Sequence, residues 1–135
     1  MIHFSPLEGT DDYGGDKALV LDRAHQDLRA LQDGGVDAVM FENNFDKPKY
    51  EKMRTETRAH FMELLEALVP ETRLPWGIAP LWNDYEFGFA ACMKFGGVMV
   101  RVPVFVDSVE TVYGKFYANP AIVLAARASL GADAV

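Results

Sequence analysis

Glu42, Asn43 and Asn44 end a short apolar run, Val36 to Phe41, that follows the pair Gly34–Gly35. Polar groups at the tip of a buried strand are how parallel α/β folds present their working side chains. A carboxylate there is partly stripped of water, which suits Glu42 to general acid or base work. His3 stands in the apolar opening Met1–Phe4, Asn83 follows the run Trp76–Trp82, and Arg101 interrupts Val98–Phe105 with Asp107 just beyond. If these runs are parallel strands of one sheet, His3, Glu42, Asn43, Asn83, Arg101 and Asp107 converge on one mouth. Glu42 and His3 would then be catalytic. Asn43, Asn83, Arg101 and Asp107 would hold substrate, with Arg101 gripping a phosphate or carboxylate.

Each candidate has a plainer reading. Glu42 and Arg101 would satisfy one another as a salt bridge, and two adjacent polar groups at a strand tip are costly unless used or paired. A lone histidine beside an apolar strand is more often a structural hydrogen-bonder than an acid, base or ligand, and His3 reads first that way. Asn83 or Asp84 caps a helix in the plainer reading. His25 and His60 fall on helices and are expected to face solvent. Trp76, Trp82 and Phe87 read as packing groups. Cys92 sits mid-helix without a His or Asp partner nearby, which argues against a nucleophile. Asp46 and Asp107 lie where they would join Glu42 around a divalent cation, but the spacing matches no zinc or EF-hand pattern, and no metal is expected. Nor does a G-x-G-x-x-G fingerprint follow the first strand, and no cofactor is assigned.

The elements that must position these groups alternate. Met1–Phe4 reads as a strand and Ser5–Gly15 as a turn-rich loop. Asp16 caps a helix from Lys17 whose Ala18, Leu21, Ala24, Leu28 and Leu31 recur at helical steps. Gly34–Gly35 stops it, and the Val36–Phe41 strand follows. After a polar loop from Asn43 to Lys52, Thr55 caps a second helix with an apolar face of Ala59, Phe61, Met62, Leu65 and Leu68. Trp76–Trp82 is the third strand, with Pro80 near its end. A third helix runs to Phe95 and stops at Gly96–Gly97. Val98–Phe105 is the fourth strand, Asp107–Ala118 a long loop, and Asn119–Pro120 starts a fourth helix that Gly131 ends. Asp133–Val135 reads as the start of a fifth strand. This βαβα order predicts a parallel α/β sheet with right-handed crossovers, about half of an eight-fold (β/α) barrel, with a small open doubly wound sheet as the alternative.

Bulk composition narrows the partners. The 135 residues suit a single domain, 1–135, with a real core. The net charge of −7 opposes nucleic acid as a partner and opposes a polybasic membrane contact. No apolar run reaches membrane-spanning length. The single cysteine excludes an internal disulfide framework and, with no secretory signal at the start, leads us to expect a cytoplasmic protein.

Several segments together resemble the BtpA/SgcQ family of (β/α)-barrel proteins. They are Met1–Gly9, Tyr13–Gly15, Gly34–Pro48, Trp82–Asp84, Gly96–Gly97, Arg101–Val104 and Thr111–Gly114. The Glu42–Asn43 and Phe45–Asp46–Lys47–Pro48 piece is the most specific. The resemblance covers the family's N-terminal half, with a start that looks clipped by a few residues. It implies four strands of an eight-stranded barrel and the beginning of a fifth. There are departures: the family has asparagine in place of Pro103 and aspartate in place of Val112.

The resemblance also implies a range of functions. One is binding of, or action on, a small phosphorylated sugar- or nucleotide-like metabolite, because relatives and similar barrels handle such compounds. In those barrels the phosphate grip lies after strands seven and eight, beyond the part resembled here. The alternative is a non-catalytic assembly factor of the kind associated with photosystem I accumulation, or an inactive fragment. Whether the chain is an enzyme is left open. An open half-barrel exposes sheet edges, so a homo-oligomer or a complementary half-barrel is the expected protein partner.

Overall fold

A computed structural model describes residues 1–135. Its elements run in the order β1 (Ile2–His3), α1 (Lys17–Asp33), β2 (Val39–Glu42), α2 (Thr55–Leu68), β3 (Trp76–Ala79), α3 (Tyr85–Phe95), β4 (Met99–Val100), β5 (Val109–Thr111), β6 (Gly114–Phe116) and α4 (Pro120–Ser129). Strands β1 to β4 form one sheet in that order, every pair parallel. Four consecutive strand–helix units in sequential order are about half of a (β/α)8 barrel. No helix is long and apolar enough to cross a membrane.

The helices begin and stop for local reasons. The Asp16 carboxylate accepts the Leu19 N–H at 3.0 Å and starts α1. Val20, Ala24 and Leu28, one turn apart, turn the buried side of α1 to the sheet. Asn119 caps α4 in the same way, accepting from Ile122 N–H at 3.1 Å with Pro120 at the first helical position. Thr55 is the first residue of α2 and not its cap; Arg54 holds the cap position without a side-chain bond. Within the face expected for α2, Phe61, Leu65 and Leu68 are buried beside Leu64, whereas Ala59 is exposed.

The strands are shorter than their apolar runs. Val36 lies just past the turn that closes α1, its N–H bonding Leu31 O, and the ladder begins only where Val39 N–H meets Pro75 O. Pro80 has no N–H to offer, and β3 stops at Ala79. The run Val98–Phe105 gives a strand of only Met99–Val100. Its sole neighbour β3 ends at Ala79, level with Arg101, so the residues beyond have no strand to pair with, and Pro103 lacks a donor. Asp107–Ala118 is not a plain loop. Val109 pairs with Phe116 and Thr111 with Gly114 in an antiparallel hairpin. Asp133–Val135 forms no strand: Val135 N–H bonds back to Ala132 O.

Side chains alternate across a strand, so the sheet has two distinct faces. Ile2, Val39, Phe41, Trp76 and Ile78 face the helices and join a 17-residue core with Phe4, Phe61 and Leu65. Phe4 lies edge-on to Phe61 with ring centres 4.9 Å apart, and Phe61 edge-on to Phe87 at 5.5 Å. The opposite face carries Met1, His3, Met40, Glu42, Gly77, Ala79, Met99 and Arg101.

Candidate functional site

Register builds the site. His3 and Glu42 are Cα partners across β1 and β2, and Glu42 and Ala79 are partners across β2 and β3. Arg101 N–H bonds Ile78 O at 2.9 Å, which brings Arg101 to the level of Ala79. His3, Glu42, Ala79 and Arg101 therefore form one row at the carboxyl ends of the strands, on the face away from the helices. The small Ala79 leaves room for the guanidinium to cross β3. Arg101 Nη1 reaches Glu42 Oε1 at 2.8 Å, and His3 Nε2 lies 2.7 Å from Glu42 Oε2. The Glu42 side chain is only 4% exposed, while those of His3 and Arg101 are 37% and 48% exposed.

This arrangement holds a buried carboxylate with one partner on each oxygen. The salt bridge to Arg101, the plainer sequence reading, is present. Both partners keep unused capacity: Arg101 spends one of five N–H donors on Glu42, and His3 keeps Nδ1. The His3 ring is steadied edge-on by Phe45, 5.8 Å between centres.

Asn43 is buried and both ends of its amide are hydrogen-bonded. Oδ1 accepts from Leu81 N–H at 2.8 Å, and Nδ2 donates to Asp46 Oδ2 at 2.9 Å. Asp46 Oδ1 in turn accepts from Leu7 N–H at 2.8 Å. This chain of bonds ties together the loops after β1, β2 and β3. Burial pushes the Asp46 carboxyl above the ordinary carboxylate range, against the lowering effect of the Leu7 and Asn43 bonds. Asn83 is also buried, and its side chain clasps the main chain of Val104: Nδ2 donates to Val104 O at 2.8 Å and Oδ1 accepts from Val104 N–H at 3.1 Å. Breaking either set of bonds would leave main-chain groups unpaired in the interior, which is costly. Asp107 is exposed and stands outside the ion pairs around Glu42.

Two groups escaped the sequence reading. Asp84 holds the helix cap position but bonds elsewhere. Its fully buried carboxylate takes Arg58 Nε at 2.8 Å, Arg58 Nη2 at 2.7 Å and Met53 N–H at 3.0 Å. Partners 26 and 31 residues away leave no local signal. His60 is buried, not solvent-facing. Its Nδ1 accepts the Glu8 N–H at 3.0 Å, so Nε2 carries the proton of the neutral ring. Burial first, and then nearby Lys17, pull the His60 pKa below its ordinary value. His25 is half-buried, with Nδ1 3.2 Å from Glu71 Oε2. The Cys92 thiol is buried and pushed up to about 11, far from a reactive thiolate.

Comparison with known proteins places this geometry in context. The model of the BtpA family matches residues 1–135. The sgc region protein SgcQ of Escherichia coli (strain K12) is 33% identical over 137 residues, covering 100% of this chain and 50% of that protein. The photosystem I biogenesis protein BtpA of Synechocystis sp. is 30% identical over 135 residues, covering 98% of this chain and 47% of that protein. A protein of Pyrococcus furiosus is 32% identical over 104 residues, 77% of this chain and 40% of its own length. The chain spans about half the length of the curated relatives it matches. No solved structure matches it.

Proposed function

The chain belongs to the BtpA family, and on that footing we propose that the strand-end row binds a small phosphorylated metabolite of sugar or nucleotide type. The observation that carries this reading is the buried Glu42 carboxylate with half-exposed His3 and Arg101 on its two oxygens. Arg101, held in place by Glu42, turns its remaining N–H groups to an anion. If the site does chemistry, the proton passes through the dyad: Glu42 orients the His3 ring, whose free Nδ1 accepts or donates it. Asn43 and Asn83 serve by fixing the loops around the mouth. Residues 1–135 act in this proposal as one unit of a TIM-type, phosphate-binding barrel in a cytoplasmic setting, completed by another copy or by a complementary half-barrel.

The test is an NMR titration of the chain with inorganic phosphate and with a sugar phosphate. Arg101→Met is expected to weaken binding at least tenfold, about 1.4 kcal/mol, and Glu42→Gln to weaken it by releasing Arg101. Shifts that spare His3 and Arg101, or binding indifferent to Arg101→Met, would refute the reading.

A second reading has its own observation. Val106, Val112 and Tyr117, on and around the β5–β6 hairpin, are 73%, 93% and 67% exposed. Such a surface suits a protein partner, and the name of the Synechocystis relative refers to biogenesis of photosystem I. Here the chain assists assembly without catalysis. Reversal of partner retention in a host pull-down by Val112→Asp and Tyr117→Asp would support it; unchanged retention would count against it.

A further inference from the structure

Lys49 stands apart from the other lysines of the chain. Lys17 pairs with Glu8 and Glu63, Lys47 with Asp12 and Lys52 with Glu86. Lys94 and Lys115 are exposed. Lys49 is half-buried and forms no ion pair; its Nζ donates to the main-chain oxygen of Asn44. That bond holds the amine at the mouth. Asn44 follows Glu42 by two residues, and Phe45 beside it lies edge-on to the His3 ring. The two acids whose charge reaches Lys49 are already engaged. Glu42 has Arg101 and His3 on its oxygens, and Asp46 takes Leu7 N–H and the Asn43 amide. Burial pulls the Lys49 amine below its ordinary value; Asp46 and Glu42 oppose this, and neighbouring Lys47 adds to it.

We propose that Lys49 is the nucleophile of the mouth, an amine that forms an imine with the carbonyl carbon of an aldehyde or ketone whose phosphate Arg101 holds. The ligand class is then an open-chain sugar phosphate. A lysine removed from water and left without an acid partner is readily deprotonated, and the neutral amine is the attacking species. Its lone pair adds to the carbonyl carbon. The nitrogen gives up one proton and the oxygen gains one, which yields a carbinolamine. A further proton from His3 lets that oxygen leave as water, and the nitrogen lone pair closes the C=N bond. One amine, one carbonyl and one proton enter; one protonated imine and one water result. No oxidant or reductant takes part. The protonated imine draws electrons from the adjacent carbon, and the His3–Glu42 dyad serves to take that carbon's proton. This inference rests on the anion-binding reading of Arg101 and adds to it the group that reacts.

Incubation of the chain with dihydroxyacetone phosphate and sodium borohydride tests it, because reduction traps an imine as a stable secondary amine that mass spectrometry can map. A single adduct at Lys49, lost in Lys49→Arg, is expected. Adducts spread over exposed Lys94 and Lys115, or none, would overturn the proposal. Should Lys49→Arg lose its fold, competitive acetylation of the unaltered chain gives a second measurement. Lys49 is expected to reach half its full reactivity at a lower pH than Lys17 and Lys52, which hydrogen bonds to Glu63 and Glu86 hold above the ordinary value. A Lys49 midpoint at or above theirs would overturn the proposal. The anion grip is read apart from the nucleophile. Arg101→Met is expected to raise the sugar phosphate concentration needed for half trapping about tenfold, and inorganic phosphate is expected to compete. Trapping at Lys49 indifferent to both would refute the grip and keep the nucleophile. Phosphate shifts at Arg101 without any trapping would refute the nucleophile and keep the grip.

Discussion

His60 lies in the second turn of α2, buried, with Nδ1 bonded to the Glu8 N–H and its ring edge-on to Tyr13 at 5.7 Å. Its folded pKa lies below the ordinary 6.5. Above 6.5 neither the folded nor the unfolded state binds a proton there. Below it, down to the folded value, the unfolded chain takes up a proton that the folded chain refuses, so stability falls as pH falls through that window. Asp46 acts with the opposite sign: its raised pKa means the folded chain holds a proton above 3.8, and stability is lost as pH rises through the folded value. The two windows separate in a comparison of variants. Melting temperatures should fall between pH 7.5 and 5.5, and His60→Gln should flatten that fall. An identical slope in both proteins would show that His60 does not set it.

At the scale of elements, two adjacent glycines end α3 for different reasons. Gly96 has φ +82° and open space around it, so a side chain there costs only the left-handed backbone penalty, about 1 kcal/mol. Gly97 lies where an added Cβ would be 2.6 Å from Cys92 Sγ and 2.8 Å from Trp76. Both neighbours are buried, and neither can yield without disturbing the packing of α3 on β3. Gly97→Ala should therefore cost about 1–3 kcal/mol by overpacking, more than Gly96→Ala, as read from urea midpoints. Equal midpoints for the two variants would contradict the packing account. Gly77 follows the same logic on the sheet: a Cβ there would sit 2.7 Å from Met99 O, so glycine is what lets β3 and β4 approach.

At the scale of the whole molecule, the sheet is covered by helices on one face and open on the other, with both edges unpaired. A half-barrel in this state exposes apolar methionines and unsatisfied strand edges, the features that natural sheets cover. If closure by a second copy stabilises the fold, the urea midpoint must rise with protein concentration by mass action. A midpoint constant over a hundredfold range would mean the half-sheet stands alone.

By itself the sequence determined much of what depends on neighbours a few residues apart. The caps Asp16 and Asn119, the glycine stops after α1, α3 and α4, the apolar faces and the alternation of strand and helix up to β4 are all local, and the parallel order follows from them. The pairing of Val109–Thr111 with Gly114–Phe116 was missed, because a hairpin inside a presumed barrel loop runs against the repeating plan. Only the tertiary structure decided what each polar group touches. Glu42 and Arg101 are 59 residues apart and meet because register sets them in one row with a small alanine between. The same packing ties Asn43 to Leu81 N–H and Asp46 and Asn83 to the main chain of Val104, buries His60 and hands Asp84 to Arg58. Apolar periodicity says which face a side chain takes; the partner on that face is fixed by how separate strands and helices come to lie side by side, and no local pattern encodes that.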